Sequence, residues 1–173
     1  MNLVALSLGS NIDKEHNLPE AVRLLQEMCD VTAVAPIYET APTGLLDQPN
    51  FFNTAVLIQT ELSATEVKET IISTIETKLN RVRQTDKNAP RTIDLDIALF
   101  NNSIFNYELS DGSTRRVPDK DILRFPHVAV PLADILPDMP HPETGELLSS
   151  IAASLLSETD PNVIWQRPDI ILG

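Results

Sequence analysis

The segment Pro90-Arg91-Thr92-Ile93-Asp94-Leu95-Asp96-Ile97 carries the densest chemistry in the chain. Its alternation reads as a strand, where residues i and i+2 point to the same side. Asp94 and Asp96 therefore project together, with alpha carbons roughly 6.5 Å apart, while Ile93, Leu95 and Ile97 project into a core. Two carboxylates at that spacing can bridge hard cations that also bind phosphate oxygens. The same alternation is what any half-buried strand shows when it turns polar side chains to water. Just upstream, Lys78, Arg81, Arg83, Lys87 and Arg91 stand against a single acid, Asp86. Inside a chain of net charge −12, such a stretch is a candidate seat for a small polyanion such as a nucleotide. A solvated helix end, where Lys and Arg favour the dipole, accounts for the same residues more plainly.

Several other chemistries are excluded. No Gly-x-x-x-x-Gly-Lys-Ser/Thr is present, and the 5 glycines form no dinucleotide fingerprint. No Cys/His cluster offers a zinc site, and the single cysteine, Cys29, has no neighbouring histidine and reads as a small apolar residue. If phosphate is handled here, metal and arginine must do it. With 25 acidic against 13 basic residues, the chain is a poor candidate for non-specific nucleic-acid binding. No apolar run approaches the ~20 residues that cross a bilayer, and MNLVALSLGSN reads as a first strand rather than a signal peptide. A cytoplasmic enzyme is the expectation.

The elements that must position these residues follow from periodicity. Leu3–Leu8 reads as a strand that stops at the turn cluster Gly9-Ser10-Asn11. Asn17 reads as the N-cap of a helix carrying Leu18, Ala21, Val22, Leu24, Leu25 and Met28 on one face. Val31–Tyr38, broken by Pro36, reads as an edge strand or bend, Thr40–Asn50 as a loop and Phe52–Thr60 as a strand. Ser63 and Glu66 form a capping box for a second helix, with Val67, Ile71, Ile75 and Leu79 inward, running to about Arg83. Gln84–Pro90 is a polar loop before the strand Ile93–Phe100.

The order βαββαβ predicts an α+β, ferredoxin-like core: an antiparallel sheet with both helices on one face. Beyond it come a hairpin near Ile104–Val117, a helical turn at Asp119–Leu123, a short helix at Leu147–Leu156 and a terminal strand or tail. The whole, residues 1–173, reads as one domain with a core over about 1–137 and an irregular C-terminal extension over about 138–173.

The chain also resembles the 6-hydroxymethyl-7,8-dihydropterin pyrophosphokinase family of folate biosynthesis. The likeness rests on Ala5–Asn11 (ALSLGSN), Tyr38–Asn53 (YETAPTGLLDQPNFFN), Arg81–Arg83, Pro90–Phe100 (PRTIDLDIALF) and Val128–Pro137 (VAVPLADILP). It implies transfer of pyrophosphate from ATP to the pterin hydroxymethyl group, leaving AMP, by a monomer with no nucleic-acid or membrane partner. It implies two Mg²⁺ ions on Asp94 and Asp96, with Arg81 and Arg91 stabilising phosphate charge. Thr40, Pro42, Thr43, Phe51, Asn53 and His127 would form the pterin pocket, with Phe51 and His127 stacking. Glu76, Arg83, Arg91, Ile97, Arg115 and Arg116 would lie along the ATP site, and Gly9–Asp13, Thr40–Asn50 and Gln84–Pro90 would be mobile lids.

This chain departs from the family pattern on the ATP side. Asn88 stands where many members have a tryptophan, Asp119 and Lys120 follow Pro118 in place of a histidine and tyrosine, and Phe125 replaces an arginine. Two other readings remain. One is a pterin-binding relative that has lost ATP use. The other, by fold analogy alone, is a nucleotide-binding regulator. Retention of Asp94, Asp96, Arg81 and Arg91 weighs against the first, and Phe51 and Asn53 are unexplained by the second.

Overall fold

The computed structural model describes residues 1–172. Its centre is an antiparallel sheet of β1 (Asn2–Ser10), β2 (Asp30–Val34), β3 (Tyr38–Thr40), β4 (Phe51–Thr60), β5 (Asp94–Phe100) and β8 (Ile164–Gln166). The order is β5-β1-β4-β3-β8, with β2 also pairing β4. Pro36 lies in the break between β2 and β3, so that one apolar segment supplies two short strands to the same neighbour. The hairpin of β6 (Phe105–Glu108) and β7 (Thr114–Val117) forms a separate two-stranded sheet.

Helix α1 (Lys14–Met28) begins three residues before Asn17, just after a left-handed Asp13 that makes no side-chain cap. Asn17 is inside the helix and buried, where its amide donates to Ile12 O at 2.7 Å. Helix α2 starts at the capping box of Ser63 and Glu66 as the sequence predicts. It runs over 64–78 and contains a π-helical stretch, Val67–Ile72. The inward residues repeat every four positions, and four α-helical residues turn through about 400°, so each step drifts by about 40°. A wider i→i+5 stretch winds less per residue and offsets part of that drift. The helix stops at Lys78 rather than near Arg83, because Asn80 turns left-handed at φ 57°. That frees Arg81 and Arg83 from the helix.

One face of the sheet packs on α1 and α2 through Leu6, Leu8, Phe52, Val56, Ile93, Leu95 and Ile97. The other face carries Ala55, Leu57 and Leu99 against α3 (Pro126–Ile135) and α4 (Leu148–Ser157). Helices therefore lie on both faces, and the C-terminal part is far more regular than expected. The segment 126–135 is a helix that the composition conceals: Pro126 sits at its start, and Pro131 stands within a run rich in β-branched and small apolar residues. A bulge in β5 opposite Ala5/Leu6 turns both Ala98 and Leu99 to this second core.

β8 closes the sheet beside β3 and fixes the start of the 40–50 loop. Arg167 donates to Glu39 Oε2 at 2.5 Å and Lys14 donates to Glu39 Oε1 at 3.1 Å, with both cations over the Phe52 ring. Burial alone would raise the Glu39 carboxyl, but Arg167 and Lys14 hold it below its ordinary value.

If the second core is integral to the fold, Leu132→Ala should cost about 2–5 kcal/mol in chemical denaturation, since Leu132 is fully buried. A loss no larger than the ~0.5 kcal/mol of a surface substitution would show that the C-terminal helices dock loosely.

Candidate functional site

Asp94 and Asp96 share a face of β5, opposite Gly9 and Ser7 of β1. Gly9 is in turn opposite Asn53 of β4, and Asn53 is opposite Tyr38 of β3. Gly9 therefore belongs to the strand, not to a turn, and it has a steric reason to be glycine. A Cβ there would come within 3.2 Å of Asn53 Oδ1. Asn53, 6% exposed, donates from Nδ2 to Thr40 Oγ1 at 2.7 Å.

The two carboxylates are each matched by an internal cation. Arg91 Nη1 donates to Asp94 Oδ2 at 2.9 Å. Lys68 Nζ, from the π stretch of α2, lies 3.4 Å from Asp96 Oδ1 and donates to Leu95 O at 2.8 Å. Asp96 is nevertheless held above the usual carboxylate range, first by desolvation and then by the Asp94 charge. Asp119 adds a third carboxylate nearby. Burial raises it, and its Oδ1 accepts from Asp121 N at 2.9 Å.

The pair lines one cavity, and Lys68, beside Asp96, lines a second. The first, about 420 Å³, is floored by Ser7, Gly9, Asp94 and Asp96 and walled by Thr40, Thr43, Phe51, Asn53 and His127. Its wall on the α3 side is made by Phe125 and His127, whose rings stack with centroids 5.2 Å apart. Burial pushes the His127 imidazole down to about 4, so at neutral pH it offers a neutral ring. The second cavity, about 560 Å³, sets the cations Lys68, Arg81, Arg83 and Arg115 against the carboxylates Glu69, Glu76 and Asp111. Arg81 Nε is buried there without a hydrogen-bond partner among the described residues. A buried guanidinium donor left without a partner suits an anionic ligand.

The loops over the first cavity are tied together through Asn11. Its Oδ1 accepts from Arg91 N at 2.8 Å, and its Nδ2 donates to Gln48 Oε1 at 2.8 Å and Pro49 O at 3.1 Å. Gln48 Nε2 donates onward to Asn88 O at 2.8 Å, and Asn88 packs against Gly44, whose φ is 77°. Gln84–Pro90 is therefore latched to the 40–50 loop by polar contacts.

The expected residues divide between the cavities. Thr40, Thr43, Phe51, Asn53 and His127 line the first together with Arg91, Asp94 and Asp96, whereas Glu76, Arg81, Arg83 and Arg115 line the second. Pro42, Ile97 and Arg116 line neither. Ile97 is in the helix-side core, and Arg116 pairs with Glu143. Sequence reasoning overlooked Lys68, Asn11, Asp119 and the steric role of Gly9. Lys68 had a signal, since it stands one helical turn before Ile72 on the inward side of α2. Asn11 and Asp119 had none, because their partners are remote in sequence.

Two carboxylates make a small donor set, and no group of three or more His, Cys, Asp or Glu side chains able to hold a metal occurs among the described residues. The pair fits a magnesium-type ion, which keeps much of its shell for water and phosphate oxygens.

Comparison with known proteins gives a consistent result. The family model for 7,8-dihydro-6-hydroxymethylpterin-pyrophosphokinase matches residues 5–137. The chain is 47% identical over 103 residues to the 2-amino-4-hydroxy-6-hydroxymethyldihydropteridine pyrophosphokinase of Bacillus subtilis, covering 58% of this chain and 60% of that protein. It is 31% identical over 153 residues to the Pseudomonas aeruginosa protein of the same name, covering 87% of this chain and 90% of that one. The match to the folic acid synthesis protein FOL1 of Dictyostelium discoideum is 31% over 142 residues and spans 20% of that protein's length. Among solved structures, a Plasmodium falciparum HPPK-DHPS A437G crystal structure aligns over 91% of this chain and 46% of its own, with a TM-score of 0.73 at 14% identity. That likeness concerns the fold alone.

The partly buried setting of His127 can be checked directly. Its imidazole should titrate by NMR near pH 4, against about 6.5 when unfolded. The unfolded chain then binds the proton first, so this group's contribution to stability is lost as pH falls from about 6.5 towards 4. A midpoint near 6.5 in the folded protein would mean that the ring is not sequestered.

Proposed function

The chain belongs to the 7,8-dihydro-6-hydroxymethylpterin-pyrophosphokinase family, and from that premise we propose that it transfers pyrophosphate from ATP to 6-hydroxymethyl-7,8-dihydropterin in folate biosynthesis. The observation that carries this reading is that Asp94 and Asp96 floor a cavity walled by Phe51, Asn53 and His127, while Lys68, 3.4 Å from Asp96, also lines a second cavity with Arg81, Arg83 and Arg115. The sheet with α1 and α2 corresponds to the ferredoxin-like core of the family, and residues 1–173 act as one domain and as a monomer.

The pterin enters the first cavity between Phe51 and the neutral His127 ring, and stacking supplies its affinity. Asn53, backed by Thr40, hydrogen-bonds the edge of the pterin, and Gly9 leaves room for the Asn53 side chain. Because these groups are rigid strand positions, the hydroxymethyl oxygen is presented towards the two carboxylates at little entropic cost. The nucleotide lies along the second cavity, where Arg81, Arg83 and Arg115 meet its phosphates and Arg91 reaches them from the loop. The pterin oxygen bonds to the β-phosphorus, the bond from that phosphorus to the α-phosphate's bridging oxygen breaks, AMP leaves and the hydroxyl proton is released.

Asp94 and Asp96 would hold two Mg²⁺ ions, which would neutralise phosphate charge and orient the polyphosphate. The chain's own part is positioning and fixed positive charge, with no covalent intermediate. The loops latched through Asn11, Gln48 and Asn88 exclude water that would otherwise compete with the pterin hydroxyl. Loss of ATP use is the weaker alternative, because Arg81, Arg83 and Arg115 line the second cavity, whereas the departures expected on the ATP side, Asn88, Asp119, Lys120 and Phe125, line the first.

Two outcomes test this. Asp96→Ala should lower transfer by at least about 100-fold with circular dichroism unchanged, as for loss of a group that organises transition-state charge. Near-full AMP release by that variant with Mg²⁺ and pterin would remove the metal assignment. Asn53→Ala should weaken pterin binding by about 1–3 kcal/mol and leave binding of an ATP analogue nearly unchanged. Equal losses for both ligands would make Asn53 a support of the fold rather than a pterin contact.

A further inference from the structure

Helix α2 brings two opposite charges to the outer edge of β5, at the residue between the two site carboxylates. Glu76 Oε1 accepts from Leu95 N at 3.4 Å, and Lys68 Nζ donates to Leu95 O at 2.8 Å. β5 is the last strand of the sheet on this side, so these main-chain groups have no strand to pair with. Lys68 is 9% exposed, and its ammonium also lies 3.4 Å from Asp96 Oδ1. An ammonium has three donors and no acceptor. One is taken by Leu95 O and one by Asp96 Oδ1. The third remains for the second cavity, which Lys68 lines with Arg81 and Arg115.

This cation differs in kind from Arg91. Arg91 reaches Asp94 from a loop, where it also donates to Ala89 O at 3.3 Å and to Lys87 O. Such a side chain can exchange its carboxylate for a phosphate. Lys68 is held by main chain at both ends, by its helix and by the Leu95 carbonyl, and it cannot withdraw when another cation arrives. Its charge stays beside Asp96 throughout.

We propose that Lys68 is a positioning residue that makes divalent-cation binding at Asp94 and Asp96 conditional on the nucleotide. This rests on the metal reading given above. The ammonium holds Oδ1 of Asp96 and so presents Oδ2 to the cleft. Its fixed charge, a few ångströms from the cation's seat, opposes a bare divalent ion. A polyphosphate in the adjoining cavity brings the negative charge that offsets the opposition. Metal and nucleotide therefore enter as a linked pair, and each raises the affinity of the other.

The test uses Mn²⁺ as the probe, with free ion followed by electron paramagnetic resonance on the full chain. Binding is measured without nucleotide and with a non-reacting α,β-methylene ATP. In Lys68→Met, Mn²⁺ without nucleotide should bind at least about tenfold tighter than in the natural protein, and the enhancement caused by the analogue should shrink by a similar factor. Lys68→Arg keeps the charge and should behave like the natural protein, which a merely structural role would not require. Unchanged or weaker nucleotide-free binding in Lys68→Met overturns the proposal. Thermal unfolding checks that the variant folds, and if it does not, Lys68→Gln, which retains a donor for Leu95, carries the same comparison. Asp96→Asn separates the underlying reading: if it leaves Mn²⁺ binding with the analogue intact, the metal site itself is wrong.

Discussion

Two like charges held side by side on an edge strand set the terms for the rest of this protein. Asp94 and Asp96 cannot both stay ionised and close unless something positive answers each of them. Arg91 answers the first from a loop and Lys68 the second from a helix. The strand itself must also be kept from sliding, because a one-residue shift would turn both carboxylates into the helix-side core. Glu76 and Lys68 prevent this by occupying the N–H and C=O of Leu95. They also blunt an edge that would otherwise invite pairing with another chain.

Other features of the fold serve the same end. The π stretch of α2 keeps the four-residue apolar repeat facing the sheet while bringing Lys68 to the β5 edge. Glycine at position 9 lets Asn53 stand next to the carboxylates in the same row across three strands. α3 and α4 cover the far half of this sheet face, and α3 begins where the cleft does, so that His127 and Val128 form its wall. Residues 119–128 thus form one wall of the first cavity. At the opposite edge, the Lys14–Glu39–Arg167 cluster anchors β3, which carries Thr40.

The loops show how a polar latch stands in for packing. Where relatives are expected to place a tryptophan, Asn88 packs on Gly44 while its carbonyl accepts from Gln48. These contacts depend on short distances and directions, and they bury little apolar surface. The contacts between these loops therefore rest more on hydrogen bonding than on hydrophobic burial.

The sequence by itself determined the elements whose signals are local. The β1, α1, β4, α2 and β5 segments follow from periodicity, the α2 start from its capping box, and the shared face of Asp94 and Asp96 from strand geometry. Its family motifs named Asn53, Phe51 and Arg91 as neighbours of those carboxylates. Local signals failed where the deciding partner was distant. Asn17 looked like a cap, but the chain entered α1 earlier, and 126–135 looked irregular because its helicity comes from burial against the sheet. Only the tertiary structure decided that Lys68 meets Asp96 across 28 positions, that Asn11 joins three loops, and that Ile97 and Arg116 point away from both cavities. The reason is physical. A residue's type and spacing fix which way its side chain leaves the backbone, whereas the charge or carbonyl it meets there is set by packing between segments far apart in the chain.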